Sequence, residues 1–119
     1  MSSDLKSYSD LHKTLVAFFD ELVDMFPKEG DFVMLRIMIK DRVPITSIVK
    51  HFQKSLLPEK DLIQRRDNTF FDKNILFIHV GDAQARKFCK LFLNLDKEDQ
   101  QAIWKWLDAF VALTEKCTV

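Results

Sequence analysis

The stretch Asp96-Lys97-Glu98-Asp99-Gln100-Gln101-Ala102-Ile103-Trp104-Lys105-Trp106-Leu107-Asp108-Ala109-Phe110-Val111-Ala112-Leu113, closing on Glu115-Lys116-Cys117, decides the fold. An Asp stands before an acidic first turn and a Lys lies in the last turn, the charge order that a helix dipole favours. At 100° per residue its apolar side chains occupy an arc of roughly 220°. A surface helix needs a stripe of only about 100°. Such a helix has to be contacted on several sides, so other helices should wrap it. On this wheel Trp106 lies near the middle of the buried arc. Trp104 lies at its rim, beside Gln101, Asp108 and Glu115.

Working outward, the rest of the chain supports the same class. It has 119 residues, with 11 Phe against only two Gly and three Pro, a balance that favours helices over a turn-rich β fold. A chain of this size buries roughly two-thirds of its unfolded surface, enough for a core without metal or disulfide. The expected architecture is all-α: a compact single-domain bundle of about five or six helices around the C-terminal one. Residues 1–6 are polar and are expected to be a flexible N-terminus, with 7–119 as the helical domain.

The first helix should be capped at Ser7 or Ser9 and stopped by Pro27, which disfavours helix in the residue before it. Its apolar set includes Leu11, Leu15, Phe18, Phe19 and Leu22. Asp31 reads as the N-cap of a second segment, Phe32-Val33-Met34-Leu35-Arg36-Ile37-Met38-Ile39, which is apolar nearly all round. Periodicity does not separate helix from strand there; the cap and the helical neighbours favour helix. Ile45, Ile48, Val49, Phe52 and Leu56 follow clean helical spacing after Pro44. Residues 59–66 suit a short helix. Phe70-Phe71 falls in a loop or short turn. Residues 75–80 have strand composition but no partner strand, so a short buried helix or an extended packing segment is expected. Residues 83–93 complete the set as a helix with Phe88 and Phe92 inward.

The net charge is zero, but it is unevenly spread. Residues 1–31 have three bases against seven acids, residues 32–66 have eight bases against three acids, and residues 67–119 have seven bases against eight acids. The basic middle is either a binding face or internal neutralisation between neighbouring helices, and the second is favoured. Cys89 and Cys117 sit in apolar helical patterns, where a thiol behaves as a small hydrophobe, which points to a reducing compartment. The chain shows no signal-peptide core, lipidation motif or apolar run of membrane-spanning length, so a soluble intracellular protein with no membrane partner is expected.

Motifs that carry chemistry are missing. His12, His51 and His79 have no metal-ligand spacing, and His12 reads as a satisfied histidine at the core edge. There is no Cys-x-x-Cys, phosphate loop or nucleophile elbow. Asp20, Glu21 and Asp24 lie on the polar face of the first helix. No catalytic residue, metal, cofactor or small-molecule substrate is therefore assigned, and an enzyme is not expected. Two binding functions remain. The leading one is a non-catalytic protein-interaction, structural or adaptor module, working on a protein partner or as a homo-oligomer. Trp104, Phe70 and Phe71 are its candidate contacts, because half-exposed aromatics are enriched at interfaces. The alternative is RNA or DNA binding through a basic 50–66 surface carrying Lys50, Lys54, Arg65 and Arg66, with Phe70 and Phe71 stacking on bases.

Three further stretches carry a resemblance: Leu56-Leu57-Pro58-Glu59-Lys60-Asp61-Leu62-Ile63, then Asp67-Asn68-Thr69-Phe70-Phe71, then Ala102-Ile103-Trp104-Lys105-Trp106-Leu107. Together with Phe26-Pro27 at the end of the first helix, they resemble small uncharacterised helical proteins of large nucleocytoplasmic DNA viruses of algae and amoebae. The family pattern would place Tyr where Trp106 stands. The resemblance implies a viral protein acting in an infected cell's cytoplasm or packaged in the virion. It supplies no activity, cofactor or catalytic residue.

Overall fold

The computed structural model describes residues 2–73, 75 and 82–117, and helices dominate throughout. The first helix, α1, spans Ser2–Met25. It begins at Ser2 rather than at a cap on Ser7 or Ser9, so residues 2–6 extend the helix instead of preceding it as a loose tail. It stops just before Phe26-Pro27, as expected from proline's missing donor. The second helix, α2, spans Gly30–Ile37 and runs on into a π-helical turn, Met38–Arg42. Its N-cap is Glu29, with no side-chain cap bond, and Asp31 lies inside the first turn. The carboxylate expected to cap α2 instead lies beside Lys87, together with Glu29. Helix rather than strand is thus the outcome for residues 32–37.

Pro44 caps α3, Ile45–His51, which continues as a second π-helical turn, Phe52–Leu56. A 3-10 turn at Leu57–Glu59, with Pro58 in its first turn, leads into α4, Lys60–Gln64. A second 3-10 turn, Asn68–Lys73, carries Phe70 and Phe71. α5 spans Asp82–Leu93 and α6 spans Lys97–Lys116. Of the 75–80 stretch only Ile75 is described, and it is buried; the remainder, including His79, lies outside the described residues.

α6 forms the pillar that its sequence demands. Asp96 caps it, accepting a hydrogen bond from the Asp99 amide at 2.8 Å. Ile103, Trp104, Leu107 and Phe110 are buried along it. α1 packs lengthwise against it with Leu11, Leu15, Phe18, Phe19 and Leu22 also buried. Phe18 meets Phe110 edge-on at 5.2 Å, and Phe52 meets the same ring at 6.1 Å. Such aromatic pairs contribute about 0.5–1.5 kcal/mol each beyond the area they bury. Gln53 ties the π-helical turn to the end of α6 by donating to the Cys117 carbonyl at 3.1 Å. The Cα radius of gyration, 13.7 Å, is that of one globule of this length, about 13.5 Å.

Candidate interaction surfaces

The two tryptophans of α6 sit the other way round from the helical-wheel expectation. Trp104 is buried, 3% exposed, and Trp106 is half-buried beside Phe18 at 5.9 Å. The reason lies in the Asn68–Lys73 turn, which a wheel of α6 alone does not contain. That turn lays Phe71 on Trp104 at 5.0 Å and Phe70 at 6.5 Å. Phe92 of α5 meets Trp104 edge-on at 5.8 Å and Phe71 at 4.6 Å. Phe70 is 1% exposed and Phe71 6%, so the pair expected to stack on a partner or on bases forms core instead. Trp104, Phe70 and Phe71 are therefore corrected from surface contacts to one buried aromatic cluster.

Arg66 is corrected as well. It ends α4 in the left-handed region, φ 55°. The Arg66 amide donates to the Ile63 carbonyl at 3.1 Å and the Asp67 amide donates to the Leu62 carbonyl at 2.9 Å. This is the Schellman arrangement, in which glycine usually occupies the left-handed position. For a residue with a Cβ the conformation costs about 1–2 kcal/mol. Its guanidinium offsets part of that cost through a fork of two 2.8 Å bonds to the Asp108 carboxylate, and it also donates to the Ile63 carbonyl. It also lies over Trp104, 5.8 Å from the ring centre. Hydrogen bonding to Asp108 holds the Arg66 pKa above its ordinary value. Arg66 thus closes the aromatic cluster.

Of the other basic candidates, Lys50, Lys54 and Arg65 are exposed. Lys60, in the same region, pairs with Glu115 at 3.2 Å. Neutralisation between neighbouring elements therefore consumes two cations of the 50–66 segment and leaves three outward.

His12 Nε2 donates to the Ile39 carbonyl at 3.0 Å, and His51 Nε2 donates to the Ile75 carbonyl at 2.9 Å. The first ties α1 to the Met38–Arg42 turn, and the second ties α3 to Ile75. Cys89 and Cys117 are not joined in a disulfide, Cys117 Sγ donates to the Leu113 carbonyl at 3.4 Å, and burial pushes the Cys89 pKa up, away from reactivity. Among the described residues no group of three His, Cys, Asp or Glu side chains is placed to hold a metal ion. No described helix is long and apolar enough to cross a membrane.

The feature that stands apart is the outer face of α2. Phe32, Leu35 and Ile39 turn inward and are buried. The residues between them point out: Val33 is 45% exposed, Met34 61% and Ile37 44%. Their i, i+1, i+4 spacing puts the three side by side on one helix face. An ordinary surface helix would carry charge there. The signal was present in the sequence as a segment apolar nearly all round, but which side α1 would cover was not.

Further along the chain lies a groove of about 630 Å³ between α1 and the Met38–Arg42 turn. Tyr8, Val43, Pro44 and Ile45 supply its apolar walls, with Lys40 and Arg42 at its mouth. Lys40 and Arg42 are exposed, and neither forms an ion pair among the described residues. Arg36, by contrast, pairs with Asp20 of α1.

These features define a small all-α domain with an exposed apolar helix face beside a partly basic groove. No protein-family model, curated protein or solved structure matches the chain.

Proposed function

We propose that this protein works by binding another protein, and that α2 presents the contact surface. The supporting observation is the exposure of Val33, Met34 and Ile37 together on one helix face; Leu93 is the one other exposed large apolar side chain among the described residues. Contiguous exposed apolar patches on small domains mark interaction sites. Methionine suits such a surface because its flexible thioether adapts to different partners. Under the resemblance to giant-virus proteins, the partner would belong to a viral or host assembly.

The test is affinity capture from the native cell after nuclease treatment, with wild type and Met34→Glu compared side by side. The expected result is one or more partners held by wild type and lost from Met34→Glu. Retention of every partner by Met34→Glu overturns the proposal. Nucleic-acid binding keeps one supporting observation, the outward Lys50, Lys54 and Arg65. It requires an affinity that falls steeply with salt. A Lys54→Glu, Arg65→Glu variant with undiminished low-salt binding to RNA and DNA would exclude that surface.

A further inference from the structure

Three exposed side chains on an eight-residue helix make a small contact. Stable protein interfaces cover about 800 Å² on each partner, so an occupant of the α2 face has to reach beyond it. The chain itself indicates one direction. The helical path continues from Ile37 through Met38 into the π-helical turn, so Lys40 and Asp41 follow Ile37 within about one turn. Both residues also line the groove. The apolar face and the groove therefore follow one another along the chain, three residues apart at Ile37 and Lys40.

The charges along this surface narrow the chemistry of the occupant. At the start of α2, Glu29 and Asp31 are engaged by Lys87. In its last turn Arg36 is engaged by Asp20. At the groove, Lys40 and Arg42 are both exposed and form no ion pair among the described residues, with Asp41 the single acid among the lining residues. His12, also in the lining, is bonded to the Ile39 carbonyl. The groove end thus offers two available cations against one anion, next to apolar walls.

We infer that the occupant is a short amphipathic segment of a partner protein, with apolar side chains along Val33, Met34 and Ile37 and carboxylates at Lys40 and Arg42. This rests on α2 being the contact surface. An apolar side chain of the segment enters the groove between Tyr8, Val43, Pro44 and Ile45. Apolar burial supplies affinity, and the acidic end sets which way the segment lies.

Selection of a displayed random peptide library against the full chain tests this. The expected binders combine helically spaced apolar residues with Asp or Glu at one end. They should bind Met34→Glu and the Lys40→Glu, Arg42→Glu double variant at least about tenfold more weakly, a loss of roughly 1.4 kcal/mol. Exchanging their acids for Lys should restore binding to the double variant. All three substituted positions are exposed, so the variants keep the fold. Binders lost on Met34→Glu but indifferent to the charge reversal overturn the acidic segment and leave the α2 surface standing. Binders indifferent to Met34→Glu overturn both. A library that yields no binder overturns a short segment as the occupant, while the capture experiment still judges α2.

Discussion

α6 and α2 are the two helices whose sequences carry more apolar surface than a surface helix needs, and the fold treats them differently. Around α6 every large apolar position finds a neighbour: α1 on one side, the Phe52–Leu56 turn on another, and the Phe70–Phe71 turn with α5 over Trp104. Around α2 only the Phe32, Leu35 and Ile39 side is covered, and Val33, Met34 and Ile37 stay in solvent. A wide apolar arc therefore means burial in one helix and exposure in the other. What separates them is the number of elements that reach each helix, a property of the topology and not of either segment.

The largest effect that could break this contrast lies in α6. Trp104→Ala empties the centre of the aromatic cluster and should cost about 3–5 kcal/mol in denaturant unfolding. Trp106→Ala, at a half-buried position, should cost roughly half that. Equal costs, or a larger cost at Trp106, would return Trp104 to the rim of the core. Next in size is the clasp over that cluster. A double-mutant cycle on Arg66→Gly and Asp108→Ala should give a coupling of about 1 kcal/mol that shrinks with added salt, since both side chains are partly exposed. Glycine is the informative replacement because it accepts the left-handed backbone at φ 55°. Zero coupling would mean that the fork to Asp108 contributes nothing.

Thr114 sharpens the picture of α6 as core. It is fully buried, and its Oγ1 has no hydrogen-bond partner among the described residues. Thr114→Val removes that unsatisfied hydroxyl and should raise stability by about 1 kcal/mol, read as a shift in the unfolding midpoint. A loss of stability would indicate that the hydroxyl is satisfied in solution. The smallest expected effect falls on α2. Met34→Glu should change stability by no more than about 0.5 kcal/mol, because the side chain is 61% exposed and covers little of the core. A large loss would show that Met34 is packed after all.

Much of this fold is legible in the residues. The Asp96 cap, the Pro27 stop and the inward spacing of Ile48, Val49, Phe52 and Leu56 follow from local rules, whereas the helix over residues 32–37 forms without the Asp31 cap expected for it. The surfaces are less legible, for a definite reason. Helical periodicity ranks positions around one axis but does not say where the next element lands. Trp104 moved from rim to core because a turn more than thirty residues earlier in the chain folds over it. Arg66 moved from a basic surface to a helix end because its partner, Asp108, sits on another helix. The exposed face of α2 was foreshadowed only as a segment apolar nearly all round.

Photo-crosslinking in the native cell, with a photoreactive side chain at position 34 and separately at position 54, tests the α2 proposal most directly. Position 34 lies on the open face of α2, and position 54 is on the outward basic side of the Phe52–Leu56 turn. The expected result is a discrete protein adduct from position 34 and none from position 54. Nucleic acid captured at position 54, with nothing captured at position 34, would contradict it.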